Sequence, residues 1–320
     1  MTAMQYNFCT LFDRHYATRG IALYLSLEQH CKVDFTFTIL CMDVETRDFL
    51  AKMVLPRARL LLAQDLGDPE LLALQPVRPR REFCWTCPPS LMLFLLNQLP
   101  SGGIVSYVDA DLAFFSDPEP VFDEMGDQDI AIHGHRFSPA YEKSTATSGI
   151  FNVGLIAIRN APQGRACLER WRRQCLEKCE LDPDNGYCGD QKYLDEWPSL
   201  YSRLVVLQHP GVCLAPWNIE NHAVGEKNGQ VCVDGKPLIF YHYHSLVPLT
   251  MNVLGRCAVV PARGYTLSAT ERRLIYRPYA RLLRLAQAEA DTRAPGSLIR
   301  PRTPLRELWE RFKSSQFVTG

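Results

Sequence analysis

In the segment YVDADLAFFSDP, Asp109 and Asp111 stand two residues apart directly after the apolar run GIVSYV. Side chains at i and i+2 of an extended chain point the same way, so these two carboxylates can hold one cation between them. Oxygen ligands suit Mg²⁺ or Mn²⁺, and a cation held there can bridge the oxygens of a diphosphate and stabilise its charge as it leaves. A D-x-D on its own is equally a strand-end turn with solvated carboxylates, a place that Asp favours. This one has company. The late segment YHYHSL sets His242 and His244 two apart after another apolar run, and an imidazole added to two carboxylates favours Mn²⁺ over Mg²⁺.

These residues need a scaffold, and the sequence supplies an alternating one. YNFCTLF reads as a first strand and YATRGIALYLSLEQHC as the helix after it, with Ile21, Tyr24, Leu25 and Glu28 at helical spacing. DFTFTILCM, VETRDFLAKMVL and ARLLLAQ continue the rhythm as strand, helix and strand. Such alternation predicts a three-layer α/β architecture around a parallel sheet. Between Arg81 and Leu99 the chain is expected to become helical only after Pro88-Pro89, since a proline pair can start a helix but not sit inside one. Gly102-Gly103 then breaks it, and GIVSYVD forms a buried strand that delivers Asp109 and Asp111 at its carboxyl end, where ligands of open α/β sheets bind.

Further on, DIAIHG and GIFNVGLIAIR read as strands, about Arg165 to Lys178 as a helix, and ELDPDNGYCGDQ as a polar loop. NGQVCVDGKPLIFYHYH reads as a hairpin whose last strand ends in the two histidines. The remainder is expected to be helical and basic, with Pro295, Gly296, Pro301 and Pro304 marking a linker between two terminal helices.

Four segments in this order give the chain a resemblance to the family 8 and related GT-A-fold glycosyltransferases. They are the N-terminal strand and helix, the D-x-D of YVDADLAFF, the strand GIFNVGLIAI, and CGDQKYL, followed by the late histidine. The resemblance covers roughly residues 5 to 246. It implies a Rossmann-like α/β domain with a three-layer mixed sheet, expected over 1–263, and the basic, helical remainder 264–320 is expected to form a C-terminal extension. It also implies a nucleotide-diphospho-sugar donor, UDP by default, and transfer with retention of configuration to a glycan, glycolipid or other hydroxyl acceptor.

Carried over residue by residue, the resemblance makes Asp109 and Asp111 contacts of the metal and diphosphate, with His242 as third ligand and His244 in reserve. Asn152 would touch the donor sugar while Gly154 keeps the backbone close, and Asp190 and Gln191 would sit beside the anomeric carbon. Thr10 and Asp13, after the first strand, would lie near base and ribose. The family's K-P-W segment after the histidine is absent, and LVPLTMN stands in its place. The cation for the diphosphate therefore has to come from elsewhere, with Arg81 and Arg136 as candidates because guanidinium forks suit phosphate oxygens. Trp217 and Asn218, in APWNIENH, offer an aromatic and an amide for the acceptor.

The whole chain bounds these readings. Its 35 basic and 35 acidic residues cancel, which excludes a global field for nucleic acid. The segment 264–320 carries 11 Lys and Arg against 5 Asp and Glu, a basic tail on an acidic body. Arg272, Arg273, Arg277, Arg281 and Arg284 alternate there with Leu274, Leu282, Leu283 and Leu285. A helix of that kind either rests peripherally on an anionic membrane or docks on the acidic body. Twelve scattered cysteines and a start that does not read as a signal peptide predict a reduced, cytoplasmic protein. CWTC at Cys84–Cys87 lacks a second C-x-x-C and reads as buried, inert thiols.

Two rival functions follow from the same residues. A haloacid-dehalogenase-type phosphatase also uses a D-x-D, with Gly189, Asp190 and Asp195 as its later motif, but places the D-x-D on the first strand. A nucleotide-sugar-binding protein without turnover would not need the complete Asp109, Asp111 and His242 set.

Overall fold

A seven-stranded sheet runs through the described residues, which in this computed structural model are 5–253, 256–260, 267–297 and 318–319. The first third alternates β1 (Tyr6–Phe12), α1 (Ala17–His30), β2 (Phe35–Cys41), α2 (Val44–Leu50), β3 (Ala58–Leu62), α3 (Pro69–Leu74) and α4 (Arg80–Leu96). The middle holds β4 (Ile104–Val108), β5 (Leu112–Phe114), α5 (Glu119–Met125), β6 (Ile130–Gly134), α6 (Ser144–Ser148), β7 (Phe151–Arg159) and α7 (Pro162–Glu177). Then come the small hairpin β8 (Leu181–Asp182) and β9 (Tyr187–Cys188), α8 (Trp197–Leu200), and β10 (Leu204–Leu207).

The sheet order is β10-β6-β7-β4-β1-β2-β3. Pairings among β1, β2, β3 and β4 and between β6 and β10 are parallel, while β7 runs antiparallel to both β4 and β6. The sheet is thus mixed, where strand–helix alternation alone predicts a parallel one. Side chains of successive residues serve opposite faces. Phe8 and Phe12 of β1 join Ile21 and Tyr24 of α1 on one side, and Cys9 joins Leu91 of α4 and Trp171 of α7 on the other. Each such aromatic or leucine contributes roughly 1.5–3 kcal/mol on burial, which makes the three-layer core the dominant stabilising feature.

α4 corrects the expectation for the proline pair, because Pro88 and Pro89 lie inside a continuous helix that begins at Arg80. An interior proline costs about 3 kcal/mol through a lost N–H and a ring clash. Here Phe83, Cys87, Leu91 and Leu95, spaced four apart, bury one face of the helix in the core that α7 shares, and tertiary packing outweighs the local penalty. The Thr86 hydroxyl and the Cys87 thiol donate to the carbonyls of Glu82 and Phe83 at 2.7 and 3.1 Å, so the turn before the prolines stays tied together.

The late segment also folds differently from a simple hairpin. β11 (Val224–Lys227), β12 (Gln230–Val233) and β13 (Lys236–Pro237) make a small meander of their own. β14 (Phe240–His242) leaves it and pairs antiparallel with β5, with His242 opposite Leu112. Residues after His244, expected to be helical, form β15 (Val247–Val253) and β16 (Arg256–Val260) before any helix appears. α9 (Ala269–Glu271) then passes through a π-helical turn into α10 (Arg277–Arg293).

α10 lies against α1 and buries Tyr279, Ala280, Leu283, Ala286 and Ala290. Its apolar stripe is therefore consumed by the body of the protein, and Arg277, Arg281 and Arg284 stay exposed. The second terminal helix expected from the sequence lies outside the described residues. No helix among the described residues is long and apolar enough to cross a membrane.

Candidate active site

β4 ends at Val108, and the chain then turns sharply, with Leu112 N–H donating to the Asp109 carbonyl at 3.1 Å. Asp109 and Asp111 converge because of this turn, not because they alternate on an extended strand. The turn leads into β5, whose pairing with β14 sets His242 next to Asp111. His242 N–H donates to the Leu214 carbonyl at 2.8 Å and Tyr243 N–H to the Asp111 carbonyl at 2.9 Å, which fixes the histidine on both sides.

The alternate residues of the same segment explain why it stays in place. Tyr241 and Tyr243 point away from His242 into the C-terminal helices. The Tyr243 ring stacks on Tyr279 at 3.6 Å between centroids, its hydroxyl donates to the Ile275 carbonyl at 2.9 Å, and the Tyr241 and Tyr276 hydroxyls lie 3.0 Å apart. The C-terminal helices thus hold the strand that carries the histidine.

The result is a cluster in which one ligand atom from each of Asp109, Asp111 and His242 lies within 4.8 Å of the others. His242 Nε2 is 3.2 Å from Asp111 Oδ1 and 3.8 Å from Asp109 Oδ2, and the His242 side chain is only 4% exposed against 31% for Asp109. The cluster therefore opens to solvent through Asp109. Tyr107, two residues earlier and on the same side of the chain, donates its hydroxyl to Asp109 Oδ1 at 3.0 Å. His244 lies past the end of β14, its ring centroid 6.1 Å from that of His242.

The electrostatics are those of a site short of positive charge. Burial raises the Asp109 carboxyl to about 6, against the lowering pull of His242. Burial raises Asp111 as well, but the charge and hydrogen bond of His242 outweigh it and hold this carboxyl below its ordinary value. His242 is pushed well above the ordinary imidazole range because Asp111 and Asp109 overcome its burial. Two carboxylates sharing one imidazole is a donor set that fits a divalent cation. Such a cation has to displace the protons of Asp109 and His242, so Mn²⁺ affinity is expected to rise with pH between about pH 5 and 8. Calorimetric titration across that range measures it, and a pH-independent affinity would exclude this ligand set.

Behind the acids lies a second network. Asn152 on β7 donates its amide to Gln191 Oε1 at 2.8 Å and lies 3.3 Å from His135 Nε2, and its own oxygen accepts from Gly154 N–H at 2.8 Å. Gln191 in turn donates to the Ser148 carbonyl at 2.8 Å. Asp190 is buried beside it, and burial together with the Asp109 charge pushes its carboxyl well above the ordinary range. Burial lowers His135 to about 3, so it acts as a neutral partner of Asn152. The fold thus brings Asn152, Gly154, Asp190 and Gln191 together with the acid–histidine cluster, although they lie far apart in sequence.

Other residues singled out from the sequence lie elsewhere or are committed. Thr10 is inside β1, not after it, and its hydroxyl is buried without a hydrogen-bond partner. Asp13 follows β1 and accepts from Arg80 Nε at 3.0 Å, and Arg80 also pairs with Asp43 at the end of β2. Arg81 is exposed and stacks over Trp85 at 4.9 Å. The Arg136 guanidinium donates to the carbonyls of His209 and Val212, which makes it a loop clamp.

Trp217 packs edge-on against His242 at 5.2 Å and donates its indole N–H to the His135 carbonyl at 2.9 Å, so it walls the cluster from behind. Asn218 is fully buried, and its amide is spent on the backbone of His135, Cys213 and Ala215. It has no surface for an acceptor. Tyr107, His135 and Arg80 were not singled out from the sequence. For Tyr107 the i, i+2 relation to Asp109 was a usable signal, whereas His135 and Arg80 reach the site only through tertiary contacts.

No protein-family model matches the chain. Two proteins of Bacillus subtilis (strain 168), the uncharacterized proteins YfnD and YfnF, do match it. YfnD is 31% identical over 254 residues, covering 79% of this chain and 81% of YfnD. YfnF is 34% identical over 252 residues, covering 77% and 83%. The chain belongs to the YfnD and YfnF family. Among solved structures, the galactosyltransferase LgtC in complex with donor and acceptor sugar analogs superposes with a TM-score of 0.50 at 17% identity, over 88% of this chain and 95% of LgtC. At that identity the likeness concerns the fold, and the fold of this YfnD-family chain is GT-A.

Proposed function

We propose that this YfnD-family chain is a metal-dependent glycosyltransferase that moves a sugar from a nucleoside-diphosphate donor, UDP-sugar by default, to a hydroxyl of a glycan or glycolipid. The observation that carries this reading is the convergence of Asp109, Asp111 and His242, with Asn152, Asp190 and Gln191 beside them, just past the carboxyl end of β4 in a GT-A fold. Asp109, Asp111 and His242 would hold Mn²⁺ or Mg²⁺, which when bound supplies charge stabilisation for a leaving diphosphate. Asn152, fixed by Gln191 and His135, would orient the donor sugar. Asp190 would sit beside the anomeric carbon, where a preorganised dipole or charge favours an oxocarbenium-like centre. Transfer would retain configuration. The exposed basic face of α10 is the surface on which a membrane-held acceptor would be met.

The phosphatase alternative loses support at its later motif, because Asp195 is used to accept from Ile150 N–H at 2.7 Å and to pair with Lys192. A panel of nucleoside diphosphates, titrated calorimetrically with Mn²⁺ and with chelator, tests the main reading. One nucleotide is expected to bind only with metal, and the corresponding nucleotide-sugar should be slowly hydrolysed. Absence of metal-dependent binding to every nucleotide would overturn the reading, and binding without hydrolysis would favour a protein that holds the donor without turnover.

A further inference from the structure

Arg19, on the first turns of α1, is a charged side chain with only 7% exposure. Its guanidinium donates to the His15 carbonyl at 3.2 Å and the Leu246 carbonyl at 2.7 Å, and stacks over the Tyr16 ring at 4.3 Å. Among the described residues no carboxylate forms an ion pair with it. A buried cation satisfied only by carbonyls is costly unless an anion faces it. Leu246 closes the loop that leaves His242, its N–H donating to the Tyr243 carbonyl at 3.0 Å, while Tyr243 N–H binds the Asp111 carbonyl. Arg19 is thus tied, through the Leu246 carbonyl, to the loop on the flank of the acid–histidine cluster.

The other guanidiniums named above are unsuited to an incoming anion here. Arg136 is bound to loop carbonyls, Arg80 is committed to Asp13 and Asp43, and Arg81 lies exposed on Trp85. The segment after His244, SLVPLTMN, contains no Lys or Arg.

We propose that Arg19 is the fixed cation of the diphosphate site, meeting phosphate oxygens from the flank of the cluster where the Leu246 carbonyl anchors it. This rests on reading the site as one for a nucleoside diphosphate. Two of the five guanidinium N–H groups anchor the fork to the backbone, and the rest are left to phosphate oxygens. Because the anchors fix its position before binding, the charge needs no reorganisation when the diphosphate arrives.

The test uses Arg19→Gln and Arg19→Lys in the full chain, with three readouts: binding of inorganic pyrophosphate in Mn²⁺, binding of Mn²⁺ alone, and Tm. Arg19→Gln is expected to weaken pyrophosphate roughly tenfold to a hundredfold, with Arg19→Lys recovering part of the loss and Mn²⁺ alone weakened in neither. Pyrophosphate binding equal to wild type overturns the assignment, as does an equal loss of Mn²⁺, which would make Arg19 a prop for the histidine loop. If Arg19→Gln does not fold, Arg19→Lys decides by the same comparison. Failure of the wild type to bind either pyrophosphate or any nucleoside diphosphate with Mn²⁺ would instead remove the diphosphate reading itself, and Arg19 with it.

Discussion

Asp111→Asn is expected to abolish metal-dependent nucleotide binding and to lower transfer on the order of 10²–10³-fold while leaving the fold intact. The substitution keeps the shape of a side chain that is 13% exposed and removes one negative charge. Asp111 also holds His242, with Oδ1 at 3.2 Å from Nε2, so the variant loses one ligand and the carboxylate that positions a second. Tm without metal should move little, since the Asp111 charge adds to the burial that raises the Asp109 carboxyl, and removing it relieves that repulsion. Added Mn²⁺ should raise the Tm of the wild type, by linkage to binding, and not that of the variant. Retention of Mn²⁺-dependent nucleotide binding within about threefold of wild type would show that the cation is held elsewhere.

The second large effect is expected at Gly154→Ala. A Cβ there would stand 2.5 Å from Asn152 Oδ1 and 2.9 Å from His242 Nδ1. Neither atom can retreat cheaply. Asn152 is buried and held by Gln191 and by Gly154 N–H, and the His242 ring is wedged against Trp217. Overpacking of this kind costs roughly 1–3 kcal/mol in stability, but the larger consequence is for the site, because a shift of about an ångström in a positioned group is worth on the order of 10²-fold in rate. Loss of Mn²⁺ affinity alongside a Tm drop of a few degrees is the expected pattern. Near-normal Mn²⁺ binding and turnover would mean that the backbone at Gly154 does not need its close approach to the histidine.

The two variants separate what was legible in the sequence from what was not. Asp109 and Asp111 stand out locally, as two acids at a short fixed spacing where an apolar strand ends. Gly154 does not announce what it touches. Its neighbours Asn152 and His242 come from strands ninety positions apart, and only the path of the sheet brings them to one point. The same holds for the late histidines. Their spacing gave two candidates, and the pairing of β14 with β5 selected His242 by setting it opposite Leu112.

Where reading the sequence failed, tertiary burial had overruled a local rule. The proline pair of α4 sits inside a helix because the face it shares with α7 gains more from packing than the prolines cost. Asn218 and Arg136 have the right chemistry for ligands, yet their polar atoms are used to fix loops. Arg19 shows the converse. Nothing in its local sequence marks it, and it stands out because the fold buries its guanidinium against two backbone carbonyls with no ion pair among the described residues.

By itself the sequence determined the strand–helix alternation, the apolar strand that ends at Asp109 and Asp111, and the types of ligand on offer, since periodicity and short spacings are properties of a few consecutive residues. The tertiary structure alone decided that β7 runs antiparallel, that the acids meet His242 through a turn and a distant strand, and that Arg136 and Arg80 are taken up by loop carbonyls and by Asp13 and Asp43. Those outcomes depend on contacts between residues far apart in the chain, whose energies come from burial and pairing that no local segment contains.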